Sequence, residues 1–249
     1  MGREYEGQLI LASKGQFYDG AVPEGKINCS ALDTNGERIF LGRSRPFEES
    51  LNIVIKKFTD LQIPPEKLIL QDRAHLFLYL RCLTYGGEYE FDFQCSKCNK
   101  RVIVKDFDLE NSLNVIYADD TMHEPFEVSL PNGDIITWKL LRGEDESAVE
   151  RYANRLKEKG NRDSDPGYIF RLASRIVSIN GKDCDNMPEV MEYITRLKGQ
   201  SMFQFRNIFR NFQLGVDPRI TYDCNWCEYT NDIMLPMGID FFRFNLEAA

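Results

Sequence analysis

The chain has 249 residues and a hydrophobic share of 43%, enough to bury a sizeable core and too much for a disordered segment. Its formal charge of −8, from 39 acidic against 31 basic residues with no long basic run, argues against a protein built to neutralise a phosphate backbone. No stretch approaches the ~18 consecutive apolar residues of a membrane-spanning helix. The charged opening Met1-Gly2-Arg3-Glu4-Tyr5-Glu6 lacks the apolar core of an export signal, so a soluble protein with reduced thiols is expected.

Up to about residue 43, Gln8-Leu9-Ile10-Leu11 and Arg38-Ile39-Phe40-Leu41 read as short β-like pieces among glycine-rich turns. A helix is expected from Pro46. Glu48 and Glu49 suit its positive end, and Phe47, Leu51, Val54, Ile55 and Phe58 share one face before Pro64-Pro65 stops it. From Asp72 to about Leu83 apolar residues lie almost all round, the pattern of a buried helix, which Gly86-Gly87 ends. Within it His75 has Asp72 three residues before and Tyr79 four after, the spacing of a hydrogen-bonded, helix-packed histidine.

Tyr89-Glu90-Phe91-Asp92-Phe93 alternates into Cys95-Ser96-Lys97-Cys98, and Val102-Ile103-Val104 leaves it: strand, knuckle, strand. Residues 126–130 and 135–140 flank Pro131-Asn132-Gly133-Asp134, a hairpin signal for which Asn-Gly suggests a type I′ turn. From Gly143 the period becomes helical, with Glu144, Asp145 and Glu146 at the start and Arg155, Lys157 and Lys159 near the end, as the helix dipole favours. A polar turn leads into residues 168–179, read as an amphipathic helix stopped by Asn180-Gly181-Lys182, and two more helices are expected at 188–198 and 201–212. Ile220-Thr221-Tyr222 then enters a second knuckle, Cys224-Asn225-Trp226-Cys227, which leaves through Tyr229 towards Ile233-Met234-Leu235.

The two CxxC pairs are separated by 125 residues, and each sits at the tip of a strand-like hairpin. Such turns let two sulfurs converge on one metal, so Cys95, Cys98, Cys224 and Cys227 are expected to hold one structural Zn²⁺ as a split zinc ribbon with four cysteine ligands. An iron–sulfur cluster and unpaired structural cysteines are the alternatives. A thioredoxin-like motif would need a CxxC that opens a helix, whereas both pairs here follow extended segments. With four thiolates and one Zn²⁺ the chain would carry a net charge of roughly −10. Lys97, Lys100 and Arg101 offset the first knuckle, Asp223 and Glu228 do not offset the second, and backbone N–H groups should stabilise the sulfurs. Cys29, Cys82 and Cys184, with no close partners in sequence, read as small buried side chains.

Catalytic material is scarce. His75 and His123 are the only histidines, and no phosphate-binding loop, GxGxxG, HExxH or GxSxG is present. The acidic turns at Asp163 and Asp183 lack the spacing of a calcium loop. No catalytic residue is assigned and no enzyme is expected. Two aromatic groups remain. Phe203, Phe205, Phe209 and Phe212 interleave with Arg206 and Arg210, and Phe241, Phe242 and Phe244 cluster near the C-terminus. Phe203, Phe205, Phe209, Phe241, Phe242 and Phe244 are the candidate partner-binding residues, with core packing as their alternative role.

In order along the chain, Arg81-Cys82-Leu83-Thr84-Tyr85-Gly86, Tyr89-Glu90-Phe91 with the first CxxC, Leu130-Pro131-Asn132-Gly133, Lys139-Leu140-Leu141-Arg142-Gly143, and Phe205 through Phe209 ahead of the second CxxC resemble the baseplate hub assembly proteins of T-even-type contractile-tailed phages. The resemblance implies a non-enzymatic, chaperone-like assembly factor or hub component in the cytoplasm of the infected bacterium, with other baseplate hub proteins as partners and a place in the virion left open. A zinc-ribbon nucleic-acid-binding regulator is the alternative function. The expected fold is α+β: a β-rich base, residues 1–140 and 216–249, carries the zinc ribbon and two helices, and residues 141–215 form a helical insertion between the knuckles.

Overall fold

The computed structural model describes residues 5–42, 45–160, 163–235 and Phe241. In chain order the elements begin β1 (Gly7–Ile10), β2 (Lys26–Cys29), α1 (Thr34–Leu41), α2 (Phe47–Phe58), α3 (Leu70–Tyr85), β3 (Glu88–Gln94), β4 (Arg101–Asp108), the single turn α4 (Leu109–Ser112) and β5 (Asn114–Ile116). They continue β6 (Phe126–Ser129), β7 (Ile135–Trp138), α5 (Gly143–Glu158), α6 (Tyr168–Ala173), β8 (Ile176–Ile179), β9 (Lys182–Asp183), α7 (Met187–Arg196), α8 (Gly199–Asn211), β10 (Gly215–Asp217), β11 (Arg219–Asp223) and β12 (Thr230–Met234). The fold is α+β with small antiparallel sheets: among the described residues, four two-stranded pairs and the four-stranded β6-β7-β8-β9. It divides into two compact units, one of Met1–Pro64, Gln71–Ala118 and Leu214–Ala249, the other of Pro65–Leu70 and Asp119–Gln213.

In the first unit α2 buries Leu51, Val54, Ile55 and Phe58, the face its periodicity marks. Helix α3 is buried on several sides through Leu76, Phe77, Leu78, Leu80 and Cys82, and it carries Asp72, Arg73, His75 and Arg81 inward as well. These polar groups need partners, because an unmet hydrogen bond in the interior costs about 1–3 kcal/mol. Arg81 finds three carbonyls, donating from Nε to Phe241 O at 3.1 Å and from its two terminal nitrogens to Gly86 O at 2.7 Å and Glu88 O at 3.0 Å. Asp72 accepts from Ser13 N at 2.9 Å and Tyr18 Oη at 2.5 Å. Its burial still pushes the carboxyl above the usual range. Strands β5 and β10 pair, so the chain leaves this unit and returns to it at neighbouring points.

In the second unit Trp138 on β7 is the centre of packing. Its ring lies 4.5 Å from Phe126, 5.2 Å from Phe209 and 5.5 Å from Phe212, which brings the apolar stripe of α8 to the β6–β7 hairpin. β7 also pairs with β8. The hairpin lies in the same unit as these helices, within its stretch Asp119–Gln213. Residues 141–215, expected as a helical insertion, also carry the strands β8 and β9, which extend the β6–β7 hairpin into a four-stranded sheet.

Several expectations change. Arg38 to Leu41, expected as strand, ends helix α1, because Asp33 caps that helix by accepting from Gly36 N at 2.7 Å, and this local bond outweighs a short apolar run. Residues 168–179 are not one helix: α6 stops at Ala173, and Ile176–Ile179 is strand β8, held by its ladder to β7. The type I′ turn also falls elsewhere. At Leu130–Asp134 only Gly133 has positive φ, 90°, with Gly133 N bonded to Leu130 O, the three-residue turn with a left-handed glycine. Asn180 and Gly181, with φ of 52° and 76°, form the two-residue turn between Ile179 and Lys182.

Candidate metal centre

Each knuckle is built the same way, by local backbone bonds. Cys95 N donates to Lys100 O at 3.0 Å and Asn99 N to Cys95 O at 2.9 Å. In the second, Cys224 N donates to Tyr229 O at 2.9 Å and Glu228 N to Cys224 O at 2.9 Å. The residue after the last cysteine turns left-handed in both, Asn99 at φ 59° and Glu228 at φ 55°. The repetition matters physically: two unrelated stretches of sequence reach one loop geometry that turns both sulfurs of a CxxC the same way.

The hairpins β3–β4 and β11–β12 bring the knuckles together. The Sγ atoms of Cys95, Cys98, Cys224 and Cys227 lie within 4.8 Å of one another, with Cys95 to Cys227 at 3.8 Å and Cys98 to Cys224 at 3.7 Å. A tetrahedral tetrathiolate with metal–sulfur bonds of about 2.3 Å needs sulfurs roughly 3.8 Å apart, so the donor set fits a metal ion in both chemistry and spacing. Cys95 and Cys224 are buried against Val102, with Phe93 and Tyr222 packed edge to face beside them at 6.0 Å.

The thiols also differ electrically. The Cys98 backbone N–H, opposed by burial and helped by the Lys97 N–H, lowers Cys95 to about 6. At Cys227 the Tyr229 N–H pulls the other way, but burial and the neighbouring Cys98, Cys224 and Cys95 sulfurs outweigh it and raise the thiol to about 12. Four sulfurs this close resist joint ionisation unless a cation sits among them. Trp226 N donates to Cys224 Sγ at 3.4 Å, the kind of backbone-to-sulfur bond expected here. Around the tip, Lys100 Nζ stands 4.5 Å over the Trp226 ring and Lys97 Nζ 5.7 Å over Tyr229, while Arg101 pairs with Asp92 at 2.8 Å.

One residue of the site escaped the sequence reading. Asn231 on β12 is 4% exposed and accepts from Ser96 N at 2.9 Å and Ser96 Oγ at 3.0 Å in the other knuckle. The available signal was an amide at an inward position of an alternating strand, where an apolar residue is usual.

The candidate partner-binding phenylalanines separate. Phe205 is fully buried, and Phe209 is enclosed by Phe205, Trp138 and the Arg175 guanidinium 4.4 Å from its ring. Phe241 is 1% exposed, stacked on Phe77 at 5.7 Å and against Tyr89 at 4.9 Å. Phe205 and Phe241 are core residues and Phe209 is half-buried beside them, because α8 turns its apolar stripe inward and Arg81 ties the Phe241 backbone to α3. Phe203 is 61% exposed. Phe242 and Phe244 lie outside the described residues. His75 also departs from expectation: its Nδ1 is buried with no hydrogen-bond partner, since Asp72 is engaged by Ser13 and Tyr18, and burial lowers its pKa to about 4. Cys29 and Cys82 are buried, and desolvation raises them to about 12 and about 11. Cys184 is half-buried.

The family model described as T4 bacteriophage base plate protein matches residues 15–243. The match covers most of the chain, and the chain belongs to this family. No curated protein and no solved structure matched it. Among the described residues no helix is long and apolar enough to cross a membrane.

Proposed function

We propose that this baseplate protein is a non-enzymatic, chaperone-like assembly factor or component of the baseplate hub, which works in the cytoplasm of the infected cell by contact with other hub proteins. The observation that carries the reading is the family match over residues 15–243, joined to a cluster of four cysteine sulfurs that could supply all four ligands of a tetrahedral metal. A shell closed by four cysteines leaves no position for substrate, so the metal has a structural task. Zn²⁺ is the ion proposed, one per chain, holding the two hairpins as a zinc ribbon. It would bind the thiolates of Cys95, Cys98, Cys224 and Cys227, and the fold around it would present surfaces to partners.

Exposed aromatics support contact with protein. Trp226 is 62% exposed, and Lys100 together with the Trp226 Nε1 bond to Arg101 O at 3.3 Å fixes its ring in place. A large side chain fixed before binding loses little entropy on docking. Recovery of tagged chain from infected cells, with mass spectrometry of what comes with it, should return baseplate hub proteins, and their absence would count against the reading. Mass spectrometry of purified virions decides between an assembly factor that departs and a component that stays. The nucleic-acid alternative keeps one supporting feature, the lysines over Trp226 and Tyr229. It requires binding that weakens steeply as salt rises.

A further inference from the structure

The four sulfurs come from two hairpins that form separate sheets, so among the described residues no β-ladder fixes one knuckle against the other. Each knuckle's own backbone bonds close that knuckle alone. Beside the apolar contact of Phe93 with Tyr222, the buried hydrogen-bonded link between them comes from one side chain. Asn231 Oδ1 takes both the N–H and the hydroxyl of Ser96, inside the first CxxC, while Asn231 Nδ2 donates to Tyr229 O at 2.9 Å and Tyr222 O at 3.5 Å in the second hairpin. The orientation of the amide is forced. Ser96 N can only donate and the Tyr229 carbonyl can only accept, so exchanging Oδ1 and Nδ2 would break both bonds. In register, Asn231 lies opposite Tyr222, which sets its side chain on the inner face of β12. The other crossing bond, from Trp226 Nε1 to Arg101 O, is longer and exposed.

We infer that Asn231 is the positioning residue of the tetrathiolate cage, the group that sets one pair of sulfurs against the other before metal arrives. The inference rests on the metal reading above. Asn231 touches no metal and acts through Ser96, by fixing the turn that carries Cys95 and Cys98. Without it the Ser96 N–H loses its acceptor, and apart from the metal itself the knuckles are joined by apolar packing and the exposed contacts of Trp226 and Tyr229 with Arg101, Lys100 and Lys97. Supporting partners of this kind typically carry ten- to hundred-fold of a site's affinity.

The test uses the full-length purified chain, reduced and stripped of metal, titrated with Co²⁺ and then competed with Zn²⁺. The tetrahedral thiolate spectrum of Co²⁺ is the readout that a general loss of stability would not alter. Asn231→Ala is expected to bind roughly ten- to hundred-fold more weakly than wild type and to show a shifted, weaker ligand-field band. Asn231→Asp keeps the size of the side chain and both acceptors for Ser96, yet sets an oxygen against the Tyr229 carbonyl, and it should weaken binding too. It serves if Asn231→Ala does not accumulate folded. Asn111→Ala on α4, which removes an exposed bond to Asp108, is the control and should match wild type. Either Asn231 variant with wild-type affinity and an unchanged spectrum overturns the inference. A wild-type chain that takes up no Co²⁺ overturns the metal reading itself, so the two failures are told apart.

Discussion

His75 shows how much a single buried nitrogen can govern. Its ring lies edge-on to Tyr117 at 6.0 Å, Nδ1 has no partner, and the folded chain holds it neutral down to about 4 against an ordinary 6.5. The unfolded chain binds the proton first, so this group's stabilisation is full above pH 6.5 and is lost as pH falls towards 4, by at most about 3 kcal/mol. Asp72, one turn away, is raised by burial and works in the opposite direction, so the contribution of His75 appears as a difference. Denaturant melts at about pH 7 and about pH 4.5 should show a smaller loss for His75→Phe than for wild type. At the candidate metal centre, Cys227→Ser should abolish stoichiometric metal in elemental analysis and destabilise by several kcal/mol, because ligation energy is folding energy. Metal bound by Cys227→Ser with wild-type affinity would refute a four-sulfur site.

Among the elements, the β8–β9 turn is the clearest case of local chemistry set by context. Gly181 at φ 76° has open space where a side chain would sit, so Gly181→Ala meets no clash and exposes only the backbone cost of a left-handed residue, about 1–2 kcal/mol. Calorimetry should find that drop, whereas an unchanged melting temperature would mean that the turn relaxes to another type. The sequence contains Asn-Gly at 132–133 and at 180–181, and neither dipeptide by itself says which will form the type I′ turn. The strands decide. Ile179 and Lys182 face each other across two residues, whereas Leu130 bonds back to Asp134 and leaves room for a longer loop. The same competition explains helix α1, where the Asp33 cap prevails, and strand β8, where apolar residues that suit either period follow the ladder offered by β7. By contrast, α2 and α3 were legible because their apolar patterns are long and bounded by proline and glycine.

For the whole molecule, the division into units gives an expectation for how far a bound metal would act. All four cysteines lie in the unit formed by Met1–Pro64, Gln71–Ala118 and Leu214–Ala249. Chelation under reducing conditions should therefore remove hydrogen-exchange protection from β3, β4, β11 and β12 and leave β6, β7 and β8 protected. Equal loss in both units would mean that they unfold as one. Membership of the baseplate family, the α+β class and the set of four cysteines that converge were readable from residue order, because short motifs, a CxxC turn and an amphipathic period are local patterns. The sequence did not determine what fills the space between those elements. Phe205 and Phe241 could as well have faced a partner, and only packing against Phe209, Phe77 and Tyr89 assigns them to cores. The two CxxC pairs specified which sulfurs could act as ligands. Tertiary structure alone brought Asn231 to Ser96 and the four sulfurs within 4.8 Å of one another, because a contact across 135 positions leaves no period or motif in the chain.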